Sequence, residues 1–195
     1  MQCELNEIVV SWLPDAISMI ATTGQLSLVS GGTDDQRSRL LKLFMGFEPL
    51  SSGFVCVDGE PLTPDNASEL RRLMAFAPRH LPVIGETDPC YPPSVQDIFS
   101  LHANHNRPVS NGLLAETMRS LTPSHDTSEQ LQWLAVALLL GRPVLLADHP
   151  PRETAASLAA IARQGTAVIV ASDDQAFADA ADNITMLNSE KSFIR

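Results

Sequence analysis

Two short stretches of this 195-residue chain carry residues that could do chemistry. The first is Gly31-Gly32-Thr33-Asp34-Asp35-Gln36-Arg37-Ser38, which follows the apolar run Gln25 to Ser30 and opens onto Leu40, Leu41, Leu43 and Phe44 at helical spacing. Strand, glycine turn and helix in that order form the topology of a phosphate-binding loop, because glycine lets backbone N–H groups curl around anionic oxygens. Arg37 could be a phosphate ligand, although its guanidinium is bulkier than an ammonium and not equivalent to it. Asp34 and Asp35 oppose that chemistry. Each places a carboxylate where a polyphosphate of like sign would sit, and at about 4 Å with an effective dielectric near 20 the repulsion is on the order of 4 kcal/mol before screening. The second stretch is Asp148-His149, after the apolar run Val144 to Ala147. A histidine there could act as a general base near neutral pH. His80, His102, His105 and His125 share no helical spacing, so no metal site is expected.

The elements that must position these residues alternate between strands and helices. Strands are expected at Glu4 to Val10, Gln25 to Ser30, Gly53 to Val57, Met74 to Ala77, Val144 to Asp148, Ala167 to Ala171 and Asn183 to Leu187. Asp58-Gly59 predicts a hairpin turn. Helices are expected at Ser38 to Met45 with Gly46 as its C-cap, Ser128 to Leu140, Glu153 to Arg163 and Gln175 to Ala181. Between Pro78 and Pro123, prolines alternate with short amphipathic pieces such as Val95 to His102 and Gly112 to Leu121, the pattern of an inserted helical subdomain. The fold class that follows is α/β with a largely parallel sheet.

Composition narrows the function classes. Apolar residues make up 44% and charged ones 18%, which excludes a disordered chain. The net charge of −10 argues against nucleic acid as a partner and against adsorption to anionic lipid. The most apolar stretch, Leu131 to Ala147, is broken by Gln132, Gly141, Arg142 and Pro143, so no direct membrane insertion is expected. Cys3, Cys56 and Cys90 are odd in number and widely spaced, which points to a reducing compartment. With no basic-then-apolar pattern at Met1 to Leu5, the expected location is cytoplasmic.

In order along the chain, "GQLSLVSGG", "LLKLFMGFEPLSSGFVCVDGEPL", "AFAPR", "SVQDIFSL", "SEQLQWLAVALLLGRPVLLADHP" and "VIVASDD…ADNITMLNSEK" resemble landmarks of the ATP-binding cassette (ABC) nucleotide-binding domains. The likeness spans nearly the whole chain and is most specific over Leu40 to Leu62. It implies a P-loop NTPase-like core of the ABC ATPase type: a mostly parallel sheet flanked by helices, an antiparallel β portion and a small helical subdomain. The core would comprise residues 1–78 and 126–195, and the inserted subdomain residues 79–125.

Against the family's patterns the framework is kept and the chemistry is not. The phosphate loop G-x-x-x-x-G-K-[ST] retains Gly31 and Ser38, while Gln36 replaces the second glycine and Arg37 the lysine. Asp148 matches the aspartate that helps hold magnesium, and His149 stands where a glutamate activates water. Arg79 replaces the glutamine that senses the γ-phosphate, and Asp173 the switch histidine. In the signature motif, Asp126-Thr127-Ser128-Glu129-Gln130 aligns with LSGGQ, and Glu129 would aim a carboxylate at a neighbour's phosphate. Trp12 is a candidate for stacking on adenine, with a packing role as the plain alternative.

The resemblance therefore implies a vestigial nucleotide site of Gly31, Arg37, Ser38, Arg39 and Asp148, with His149 the candidate base if the chain is active. ATP and magnesium are cofactors only if that site works. Three functions stay open. The chain could be a pseudo-ATPase partnering itself, another ABC subunit or a membrane permease, and so lie peripherally at the membrane's inner face. It could be an unconventional ATPase using Arg37 and His149. It could also be a scaffold or binding module unrelated to transport.

Overall fold

The computed structural model describes residues 1–80, 95–101, 104, 109–122 and 128–188. The strands are β1 (Gln2–Val9), β2 (Ile17–Thr22), β3 (Leu26–Gly31), β4 (Ser52–Val57), β5 (Glu60–Pro61), β6 (Met74–Ala77), β7 (Val144–Asp148), β8 (Ala167–Ala171) and β9 (Asn183–Leu187). The helices are α1 (Asp34–Phe44), α2 (Ala67–Arg71), α3 (Val95–Ser100), α4 (Asn111–Leu121), α5 (Glu129–Leu139), α6 (Ala155–Arg163) and α7 (Gln175–Ala180). The stretches 81–94 and 123–127 lie outside the described residues, and with them Cys90, His125, Asp126 and Thr127.

Five parallel strands in the order β6-β7-β8-β3-β9 form the main sheet, and β2-β1-β4-β5 form a smaller antiparallel one. The run of apolar residues in β7 and β8 has the reason expected of a parallel sheet, since both faces are covered and every side chain is buried. Alternate residues of each strand serve different cores. Val29, Val144, Leu146, Ile169 and Ala171 pack with α1 and the antiparallel sheet. Leu28, Leu145, Ala147, Val168 and Val170 pack with residues of α4, α5, α6 and α7. α1 is thus clamped between the two sheets, and the loop in front of it is held from both sides.

Three elements differ from the sequence expectation. α2 was not expected, because its five residues are too few to show a helical period. β2 was not expected, because Ile20 at its centre is apolar yet 54% exposed, which hides the alternation of buried Ile17, Met19 and Ala21. α1 starts at Asp34 rather than Ser38. Thr33 and Gln36 form a reciprocal capping box, and Asp34 and Asp35 lie in the first turn, where negative charge suits the helix dipole. At the other end Gly46 has φ 70°, its N–H reaches Leu43 O, and Phe47 N–H reaches Lys42 O, closing the helix in a Schellman turn. The predicted hairpin turn is present, with Asp58 and Gly59 both at positive φ between β4 and β5.

Candidate functional site

The carboxyl ends of β3, β7 and β8 bring three turns together. β3 delivers Gly31 and Gly32, both at positive φ, and α1 follows with Asp34, Arg37 and Ser38. A Cβ on Gly31 would lie 2.5 Å from Leu187 O, so the close approach of β9 requires glycine there. β7 ends in Asp148, and His149 turns the chain with φ 51°, its N–H bonded to Ala171 O at 2.9 Å. β8 is followed by Ser172 and Asp173.

Arg37 is the centre of this cluster. Its side chain folds back into the loop and is only 3% exposed. Nη1 donates to Gly31 O at 2.7 Å and to Gly32 O at 3.3 Å, and pairs with Asp173 Oδ2 at 2.5 Å. Nη2 donates to Asp34 and lies 3.4 Å from His149 Nε2. Asp34 also accepts from Arg79. Asp173 accepts from Ser30 Oγ and from Gly31 N–H, both at 2.7 Å. Burial pushes the Asp173 carboxyl up, but Ser30, Gly31 and Arg37 outweigh that and hold it below its ordinary value. The Arg79 hydrogen bond does the same for Asp34, against a smaller push from burial.

Ser38, Asp148 and His149 form a second chain beside this one. Ser38 Oγ donates to Asp148 Oδ1 at 2.8 Å, and His149 Nδ1 lies 2.7 Å from the same oxygen. His149 Nε2 lies 3.3 Å from Asp34 Oδ1 and 3.4 Å from Arg37 Nη2, so the ring nitrogen a general base would use sits inside the ion-pair cluster. The structure thus brings together Gly31, Arg37, Ser38, Asp148 and His149 as the sequence grouped them. Arg39 goes elsewhere. Its guanidinium bonds Glu48 at 2.8 and 3.1 Å and stacks over Trp12 at 4.7 Å. Trp12 is part-buried against the core, and its carbonyl accepts from Gln36 Nε2 at 2.8 Å.

The geometry changes the meaning of the acidic residues. Asp34 and Asp173 are not bare charges facing the loop, because each is neutralised by arginine. The Asp34–Arg37 spacing of three is legible in the sequence, although pairing on one helix needs α1 to start at Asp34 and not at Ser38. The approach of Asp173 and Arg79 is not, since they come from other strands. Glu129 accepts from Trp133 Nε1 at 3.4 Å on its own helix, and Gln130 Nε2 reaches Arg79 O at 3.5 Å. Among the described residues no group of three or more His, Cys, Asp or Glu is arranged to hold a metal ion. Cys3 and Cys56 are free and buried, and burial pushes the Cys3 thiol up to about 12, which makes it inert.

No family model matches the sequence, and no curated protein matches it closely. Solved structures do match. One, described as an ABC transporter ATP-binding protein from Pyrococcus furiosus, superposes with TM-score 0.69 at 15% identity over 96% of this chain and 98% of that one. An ATP-binding subunit of an ABC transporter gives 0.69 at 16% identity, over 97% of this chain and 87% of that one. The cbiO1 protein of Clostridium perfringens, part of the ABC transporter complex cbiONQ, gives 0.66 at 16% identity, over 96% and 84%. The fold is that of an ABC-type ATP-binding subunit. Within the ABC-type fold, the loop before α1 and the end of β7 are where the resemblance in the sequence located the nucleotide residues. Here those places are joined by an internal network of ion pairs.

Proposed function

We propose that this protein is a degenerate ABC-type subunit that does not hydrolyse ATP and serves as a structural or regulatory partner in a transport complex. The observation that carries the reading is the seat of Arg37. A phosphate loop works by presenting backbone N–H groups and a cation to an anion. In this loop the cation is buried and its Nη groups are taken by two carbonyls and two carboxylates. An arginine engaged by the loop's own acceptors supports the reading that the loop does not serve a triphosphate. Arg39 over Trp12 covers the aromatic face that could have met a base.

The fold itself supports a protein partner: another subunit, a second copy or a membrane permease. The Clostridium perfringens neighbour is part of a transporter complex. No helix among the described residues is long and apolar enough to cross a membrane, so attachment to one would run through that partner. The acidic net charge speaks against nucleic acid.

Thermal melting with and without Mg-ATP tests the reading. A ligand that prefers the native state raises stability by mass action, about 2.7 kcal/mol at a hundredfold excess over Kd. The expected result is no shift at millimolar Mg-ATP and no phosphate release. The competing reading is an ATPase using Arg37 and His149, favoured by the Ser38–Asp148–His149 chain. Magnesium-dependent binding with turnover lost in His149→Ala would establish it instead.

A further inference from the structure

The loop that an anion would need lined with donors is lined with acceptors. Gly31 O, Gly32 O and Asp173 Oδ2 converge on Arg37 Nη1, and Asp34 Oδ1 accepts from Nη2. The contacts spread over the two terminal nitrogens of a planar fork, whereas Nε has no acceptor. An ammonium concentrates its donors on one atom and cannot span both groups of acceptors. The glycine conformations that let carbonyls turn inward, and the hydrogen bonds from Ser30 and Gly31 that aim Asp173, preorganise this lining. We infer that Gly31, Gly32, Asp34 and Asp173 form a guanidinium receptor, and that Arg37 is its tethered guest. The inference rests on the reading that the loop does not hold a nucleotide, and it adds the class of ligand the loop is built for.

Emptying the receptor tests it. Arg37→Ala should lower the melting temperature, and guanidinium chloride below its unfolding range should restore part of the loss. The two effects of that salt have different shapes. Binding raises stability along a saturating curve, whereas denaturation lowers it linearly. The expected result is an initial rise for the variant and a plain linear fall for the wild type. Sodium chloride and methylammonium chloride at equal ionic strength should leave the variant low. A linear fall in the variant from the first addition, or an equal rise with sodium chloride, would overturn the receptor. Should Arg37→Ala not fold, the wild type carries the test by side-chain nitrogen NMR. The Arg37 Nη hydrogens should show hindered rotation and slow exchange, and signals like those of the exposed Arg163 would overturn the proposal. A Mg-ATP titration of the wild type separates the two claims: rescue with ATP binding sinks only the functional reading, and failed rescue without ATP binding sinks only the receptor.

Discussion

Arg37 and the two aspartates that hold it set the pH behaviour of the site. Asp34 and Asp173 both ionise more easily in the native protein than in an unfolded chain, whose carboxyls titrate near 3.8. Below that value the unfolded chain binds more protons than the native one, so stability falls as the medium is acidified. The contribution is complete above the unfolded value and disappears as pH drops through the native ones. Asp173→Asn should therefore lower the melting temperature at neutral pH, and the gap to wild type should narrow below about pH 4. Circular dichroism melts at several pH values check this. A constant gap across the acid limb would show that Asp173 acts by packing and not by charge. Asp34→Asn should act in the same direction, because it too removes a carboxylate paired with arginine.

α1 is held in place by its ends as much as by its buried face. Thr33 and Gln36 satisfy N–H groups at the start, and Gly46 and Phe47 satisfy carbonyls at the finish. Thr33→Ala removes one cap and should cost about 1 kcal/mol. Gly46→Ala forces a Cβ into a left-handed residue, 3.0 Å from Leu62 Cδ2, and should cost about 1–2 kcal/mol. Urea titrations of the two variants read these losses as shifts in midpoint at constant slope. Both ends were open to sequence reasoning in unequal measure. Gly46 stands out because glycine after a leucine-rich helical pattern has few other uses. Thr33-x-x-Gln36 is a capping signature that the search for a glycine-rich loop passes over, and so the helix was expected to begin four residues late. β2 was missed for a related reason, since exposed Ile20 disguises a strand whose other face is buried.

The whole molecule is organised by a single shared sheet. Ile169 and Val168 are neighbours on β8, yet one belongs to the core under α1 and the other to the core under the remaining helices. Damage to either core must pass through the same strands. Ile169→Ala on one face and Leu134→Ala on the other should each cost about 2–5 kcal/mol. Both variants should unfold in one transition by near-ultraviolet and far-ultraviolet signals alike, because neither core closes without the sheet. Separate transitions in either variant would show that the helical face is an independent unit. The same sharing explains why so divergent a chain keeps an ABC-type fold at 15–16% identity. Cores accept many apolar substitutions as long as volume and pattern persist.

By itself the sequence determined the α/β class and the order of most elements, which depend on local periodicity and turn chemistry written in adjacent residues. The grouping of Gly31, Arg37, Ser38, Asp148 and His149 came from the resemblance to ABC nucleotide-binding domains, because nothing local links residues 31–38 to residues 148–149. Only the tertiary structure decided what the acidic residues do. Asp173 follows β8, Arg79 follows β6 and Asp34 opens α1, and their charges are far apart until parallel pairing brings the strand ends together. Read along the chain, Asp34 and Asp35 repel a phosphate and Asp173 stands at the switch position; folded, Asp34 and Asp173 enclose an arginine. Coulomb energies depend on distances through space, and those distances are set by the sheet and not by position in sequence.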